Sequence, residues 1–259
     1  MALSKSLAIV AACSKSPYKR AIKTSRGSET QPMFSVIFEV HPKAERFDDY
    51  LANAKHLKPI LESIDGFIDN ERFESQSRQG WLLSHSTWRD EKSVVRWRST
   101  GAHHEIQEQG RTGIFADYHL RVGEVIADST PPQGMRILEQ RLDETEIGAG
   151  KYATLTEIEP EPKAAFAPRS GVIPAELGLD TSNSGLVDQD VFASIYTPGK
   201  LALLASWKTV NEARAFSPKP FAGVARLRHR LVRVVRDYGM FDRREAPQYY
   251  PDVTRAASR

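Results

Sequence analysis

The chain has 259 residues, of which 40% are hydrophobic and 27% are charged, a composition typical of globular proteins. No apolar run approaches the roughly 18 residues that a membrane-spanning helix needs, so we expect no membrane partner. The single cysteine, Cys13, excludes an internal disulfide framework and a multi-cysteine metal site.

The leader, residues 1–32, differs in charge from the rest of the chain. Its first 28 residues hold six lysines and arginines and no acid, so the net charge of +3, less these six, leaves −3 for residues 29–259. The sequence pI of 8.9 therefore reflects the leader and does not indicate a nucleic-acid partner. The leader could be an organelle transit peptide. It could also be a disordered tail or translation begun upstream of Met33, and we otherwise expect a cytoplasmic protein.

Residues 33–128 alternate between the hydrophobic periods of strands and helices. The predicted elements are the strand Met33–Val40, the amphipathic helix Ala44–Ile64, the hairpin strands Asp69–Ser75 and Trp81–Trp88, a helix from Arg89, and the strand Tyr118–Ile126. The order strand, helix, strand, strand, helix, strand predicts a ferredoxin-like unit of α+β class. We take residues 33–128 as the first domain.

Part of this unit occurs a second time in the chain. Gly66–Trp97 aligns without a gap to Gly185–Phe216, 119 positions later. The identical pairs are Gly66/Gly185, Asp69/Asp188, Phe73/Phe192, Ser75/Ser194, Gly80/Gly199, Leu82/Leu201 and Trp88/Trp207. A repeat of whole supersecondary units at this spacing predicts a duplicated domain.

The second copy is degenerate. A linker over residues 129–150, rich in proline and glycine, precedes it, and Met135–Leu142 within the linker could form a short strand or helix. The second domain, residues 151–240, opens with the strand Tyr152–Ile158, but prolines and glycines interrupt its first helix. We expect the charged tail, residues 241–259, to end loosely.

The second copy also lacks ten residues between its last helix and its last strand, since Trp97 to Asp128 spans 31 positions and Phe216 to Asp237 spans 21. The missing residues correspond to the helix Gly101–Gly110. Within and after that helix, three polar residues follow at intervals of four and share one face: His103, Gln107 and Arg111. This face could line a pocket beside Trp97, or it could be an ordinary solvated helix face.

Residues 33–128 resemble the antibiotic-biosynthesis monooxygenase-like family. The matching positions are Trp88-Arg89-Asp90-Glu91, Trp97-Arg98, His103, Gln107, Gly110-Arg111 and Phe115-Ala116-Asp117-Tyr118. The resemblance implies two ferredoxin-like units forming an intramolecular dimeric α/β barrel, as a monomeric pseudo-dimer or a homodimer. It also implies a cavity between the sheet and the helices of a unit.

The resemblance implies several functions, because members of the family oxidise quinol-like aromatics without metal or flavin, degrade haem, or have no assigned substrate. We expect a monooxygenase acting on a small aromatic molecule, quinol- or phenol-like, without a cofactor, with haem as the alternative. The haem-degrading branch has a histidine ten positions after the tryptophan that corresponds to Trp97, where this chain has Gln107. A non-catalytic small-molecule or haem-binding scaffold is the competing hypothesis.

These residues suggest roles at a single site in the first repeat. His103 is the candidate catalytic base, because a histidine of near-neutral pKa suits proton abstraction. Gln107 and Arg111 could stabilise an oxyanion, while Trp97 and Phe73 could stack on an aromatic ring. His41 is a further candidate, and the sequence predicts no metal ligands.

Overall fold

The computed structural model describes residues 32–162 and 172–255, so residues 1–31 of the predicted leader and residues 163–171 of the interrupted helix lie outside it. The first half contains β1 (Phe34–Pro42), α1 (Phe47–Ser63), β2 (Phe67–Ser75), β3 (Leu82–Trp88), α2 (Glu91–Arg98), α3 (Gly101–Gln109) and β4 (Phe115–Asp128). The second contains β5 (Tyr152–Pro160), α4 (Ile173–Glu176), β6 (Leu186–Ser194), β7 (Leu201–Trp207), α5 (Val210–Ala215) and β8 (Val224–Gly239). No helix in these two ranges is long and apolar enough to cross a membrane.

The eight strands form one closed antiparallel barrel in the order β1-β3-β2-β6-β7-β5-β8-β4. The two halves of the chain meet where β2 pairs with β6 and where β4 pairs with β8. Apolar side chains from both halves fill the barrel interior, among them Ile37, Phe73, Leu155 and Phe192. The predicted fold, an intramolecular dimeric α/β barrel, is confirmed.

The two copies of the repeat adopt the same strand register. Trp88 of β3 lies opposite Phe34, and Trp207 of β7 lies opposite Tyr152. Each hairpin turns at a glycine of positive φ, Gly80 or Gly199, a backbone conformation that other residues rarely adopt. The equivalence predicted from the repeat therefore holds strand by strand, while the exact domain boundaries stay a prediction.

The contact between β2 and β6 is two-fold symmetric at the level of side chains. Ser75 of the first repeat donates to Asp190 of the second at 2.6 Å, and Ser194 of the second donates to Glu71 of the first at 2.6 Å. These serines are one identical pair of the repeat. Such reciprocal contacts are typical of an isologous dimer interface, here within one chain.

The linker differs from its prediction, since Met135–Leu142 forms neither strand nor helix. The backbone N–H groups of Gln140 and Arg141 instead donate to the buried carboxylate of Glu124. These two backbone N–H groups are therefore hydrogen-bonded by a side chain and do not need to pair with a neighbouring strand.

The tail also differs from its prediction. Tyr250 is only 9% exposed, and Arg111 donates to the carbonyl of Pro251 at 3.1 Å. Within the described residues 241–255, the tail therefore packs on the first repeat rather than ending loosely.

Candidate active site

A cavity of about 200 Å³ lies between the outer surface of the barrel and helices α1, α2 and α3. Alternate strand residues form its floor, because successive side chains of a strand point to opposite faces. The floor includes Val36, Phe38, Ser84, Ser86, Tyr118, Leu120 and Val122. The apolar residues of the helices that cover it include Leu57, Leu61, Val94, Trp97 and Ile106.

The second half of the chain completes this cavity. Tyr196, which follows β6, and Tyr238 of β8 both line it. So do Arg243, Gln248 and Tyr250 of the tail. A site predicted to belong to the first repeat therefore depends on residues that lie far away in the sequence.

His103 lies flat against Trp97, with ring centroids 4.0 Å apart and planes 14° from parallel. The break between α2 and α3 brings His103 back over Trp97, and the His103 Nδ1 lies 3.2 Å from the Trp97 carbonyl oxygen. Because a carbonyl only accepts, Nδ1 carries the proton and Nε2 keeps its lone pair. Burial lowers the pKa of His103 to about 4, so the ring is neutral at pH 7 but a weaker base than an exposed histidine.

Arg111 is 5% exposed and lies in a turn of π-helix, Gly110–Ile114, that follows α3. Its Nη1 donates to the Tyr118 hydroxyl at 2.9 Å and to the Met240 carbonyl at 3.2 Å. Arg243 donates to the same hydroxyl at 2.5 Å. Two guanidinium groups thus converge on Tyr118, and Arg111 is already engaged with protein oxygens.

Glycine is required where α3 ends. A Cβ built on Gly110 would lie 2.4 Å from the ring of Phe115, which lines the cavity. The close approach of this backbone to Phe115 fixes the π-helical turn that carries Arg111 into the site.

Gln107 lines the cavity and accepts a hydrogen bond from the Tyr250 hydroxyl at 3.3 Å. The neighbouring His104 stacks on the Tyr250 ring, with 5.5 Å between centroids, and its Nδ1 lies 3.0 Å from the same hydroxyl. The tail is therefore held over α3 by polar contacts as well as by packing.

Phe73 does not reach the cavity, which corrects its predicted role in stacking. It is fully buried inside the barrel beside Phe192, on the face of β2 opposite to the cavity. The sequence repeat could have predicted this structural role. The second copy has the identical residue, Phe192, although it lacks the polar helix of the site. His41 lies in β1, stacked on Trp81 at 5.4 Å, and does not line the cavity either.

The charge of the lining was not predicted from the sequence. Six basic residues line the cavity: Lys58, Arg72, Arg98, Arg111, Arg236 and Arg243. Glu91 is the one carboxylate in the described lining, and Arg141 pairs with it at 2.7 Å. No local pattern reveals this excess, because the basic residues come from four separate parts of the chain.

The cavity is small for a haem, the alternative cofactor. About 200 Å³ lies below the ~300–1,000 Å³ of pockets for drug-sized ligands, and a haem macrocycle is larger than most such ligands. The cavity as it stands therefore does not fit a haem.

Comparison with known proteins gives the family. The antibiotic biosynthesis monooxygenase family profile matches residues 33–109. A protein of Pyricularia oryzae strain 70-15 called jasmonate monooxygenase ABM is 43% identical over 227 residues, which cover 86% of this chain and 100% of that protein. The chain belongs to the antibiotic biosynthesis monooxygenase family. Membership confirms the resemblance and, with it, the coarse functional class of a monooxygenase.

Solved structures support the fold of this family member. Two aldoxime dehydratase structures superpose with a TM-score of 0.52 at 11% and 12% identity. The alignment with the first structure covers 86% of this chain and 90% of that structure's chain. The alignment with the second, a complex with butyraldoxime, covers 81% of both chains. At such low identity the likeness concerns the barrel alone.

Proposed function

We propose that this protein is a monooxygenase whose substrate is a small, mostly apolar molecule with a carboxylate, of the jasmonate type. The observation that carries the proposal is the excess of positive charge around an otherwise apolar cavity. A related protein named for jasmonate aligns over its whole length. Jasmonate combines a carboxylate with a five-membered ketone ring and a short unsaturated chain, which suits both features of the lining.

Electrostatics favours an anionic substrate. Guanidinium groups removed from water need charged or hydrogen-bonding partners, and those of this cavity have a single carboxylate among them, already paired with Arg141. A substrate carboxylate would supply the missing charge, and arginine binds carboxylates through two parallel hydrogen bonds. The apolar floor and cover would bury the rest of the molecule.

The reaction can obtain its electrons in two ways. At a CH₂ group activated by a carbonyl, CH₂ and O₂ give C=O and H₂O, and the substrate supplies all the electrons. Hydroxylation of an unactivated C–H bond forms C–OH and H₂O and needs two further electrons and two protons, from a reduced nicotinamide or a reduced flavin. His103 is our candidate proton acceptor, through Nε2, in the first route.

A small quinol or phenol is the second candidate substrate. Five tyrosines line the cavity, and their rings and hydroxyl groups suit an aromatic ligand with a hydroxyl of its own: Tyr50, Tyr118, Tyr196, Tyr238 and Tyr250. Trp97 is less suited to stacking on such a ligand than expected, because His103 already covers one face of its ring.

The test is an oxygen-consumption assay on the purified protein with jasmonate, quinols and phenols, each with and without reduced nicotinamide and flavin. We expect jasmonate to gain one atom from isotope-labelled dioxygen, detected by mass spectrometry. Turnover of phenols alone would favour the second candidate. Ligand-induced melting shifts without any turnover would favour the non-catalytic scaffold, and an absorbance spectrum of the untreated protein reports any bound cofactor.

A further inference from the structure

We propose that Arg72 and Tyr50 form the subsite that binds the substrate carboxylate, and that this pair selects an acid over its neutral ester. The inference rests on the proposed function and deepens it. Both side chains line the cavity, Arg72 from β2 and Tyr50 from α1. Neither residue belongs to the sequence pattern that identified the site.

Arg72 has unused capacity to bind an anion. Its Nη1 donates to the Tyr196 hydroxyl at 2.7 Å, whereas its buried Nε has no hydrogen-bond partner. In the part of the chain that the structure describes, no carboxylate forms an ion pair with it. A half-buried guanidinium that faces a cavity, has an unpaired buried Nε and lacks a carboxylate partner is suited to bind a carboxylate.

Tyr50 supplies a second unused donor. Its side chain is 6% exposed, and its hydroxyl has no hydrogen-bond partner among the described residues. The Arg72 guanidinium lies 5.5 Å from the centre of its ring and interacts electrostatically with the hydroxyl oxygen, which still leaves the hydroxyl proton available to a ligand. Burial raises the pKa of Tyr50, which keeps the hydroxyl protonated and able to donate.

Two other arginines of the cavity, Arg111 and Arg243, are less available. Arg111 donates to Tyr118 and to two backbone carbonyls, and Arg243 donates to Tyr118 and to the Gln248 carbonyl. Lys58 lies on the side of Arg72, with its Nζ 5.0 Å from the centre of the Tyr196 ring, although it also lies 4.0 Å from the Glu62 carboxylate. Unsatisfied donors and uncompensated charge thus coincide at Arg72 and Tyr50.

The second repeat offers no equivalent. The position that corresponds to Arg72 is Val191, which is 1% exposed and packed in an apolar cluster. The subsite is therefore a feature of the copy that has the cavity and not of the barrel as such.

The experiment compares jasmonate with methyl jasmonate, in which the carboxylate is a neutral ester. Titration calorimetry on the full chain gives both dissociation constants for the wild type, Arg72→Gln, Tyr50→Phe and the control Arg226→Gln, an exposed arginine of β8. We expect the wild type to bind the acid about tenfold or more tightly than the ester. Arg72→Gln should remove this preference by weakening the acid alone, and Tyr50→Phe should reduce it by about three- to tenfold.

The possible outcomes test the carboxylate subsite and the proposed monooxygenase reaction separately. If Arg72→Gln keeps the preference for the acid, the subsite is refuted, even where jasmonate is turned over. If the preference is lost in Arg72→Gln but no reductant supports turnover, the subsite stands and the proposed reaction fails. Equal binding of acid and ester by the wild type refutes the subsite. Arg72→Lys, which keeps the charge, should retain part of the preference and replaces Arg72→Gln if that variant does not fold.

Discussion

The two repeats share a barrel wall but differ in what covers it. In both, a tryptophan at the end of the third strand is almost completely buried and its Nε1 donates to a hydroxyl, Ser86 for Trp88 and Thr154 for Trp207. Over the first repeat, helices α1 and α3 enclose a cavity. Over the second, the corresponding face is filled by a cluster that includes Ile173, Leu177, Leu179 and Phe216. The strands therefore account for the fold, and the segments that cover them account for the site.

The aromatic–histidine contacts illustrate the same difference. Trp97 stacks on His103, whereas its counterpart Phe216 meets His229 edge to face at 5.5 Å. Burial lowers the pKa of both histidines to about 4. Since His103 lines a cavity and His229 does not, the cavity, rather than the contact or the pKa, distinguishes a candidate catalytic residue.

The largest effect is expected from the tryptophans that the repeats share. Trp88→Ala and Trp207→Ala should each lower the free energy of unfolding by about 3–5 kcal/mol, because each removes a fully buried indole. Urea denaturation of the two variants measures this. A much smaller loss for Trp88→Ala would show that the cavity beside it relaxes, and would contradict the structural equivalence of the two copies.

The sequence predicts the parts of the site that lie close together in the chain. Alternation and the gap-free repeat give the strands, and the deletion singles out α3, so Trp97, His103, Gln107 and Arg111 are all found in the cavity lining. These residues follow one another within a single local stretch, where helical spacing decides which side chains share a face.

The remainder of the site depends on contacts that leave no local pattern. Tyr196 and Tyr250 reach the cavity only because the barrel closes and the tail folds back. Arg72 alternates with Phe73 along β2, so deciding which of the two faces the cavity requires knowing which face of the sheet lies inside the barrel. The lowered pKa of His103 likewise arises from desolvation, a property of the assembled site.

The second-largest effect is expected on turnover, which should fall when His103 is replaced but not when His229 is replaced. His103→Ala should lower turnover by ~10²-fold or more if its Nε2 accepts the substrate proton. His229→Ala is the matched control, because burial also lowers the pKa of His229 to about 4 but His229 does not line the cavity, and it should leave turnover nearly unchanged. Steady-state kinetics and a melting curve for each variant check this. Equal losses of turnover in the two variants would indicate a structural effect and not a base.

The smallest effect is the pH dependence of stability that the two histidines share. Their pKa of about 4 in the folded protein lies below the ~6.5 of the unfolded chain, so the unfolded chain takes up protons first as the pH falls. The stability each contributes is complete above about pH 6.5 and is lost progressively down to about pH 4, by roughly 2 kcal/mol at pH 5. The unfolding free energy of the wild type should fall between pH 7 and pH 5, and His103→Gln and His229→Gln should each reduce that fall by roughly 2 kcal/mol. Burial also lowers the pKa of His85, and its contribution is the same in the wild type and in both variants. Urea denaturation at the two pH values measures it, and an unchanged difference in His103→Gln alone would mean that the cavity admits enough water to solvate the imidazolium.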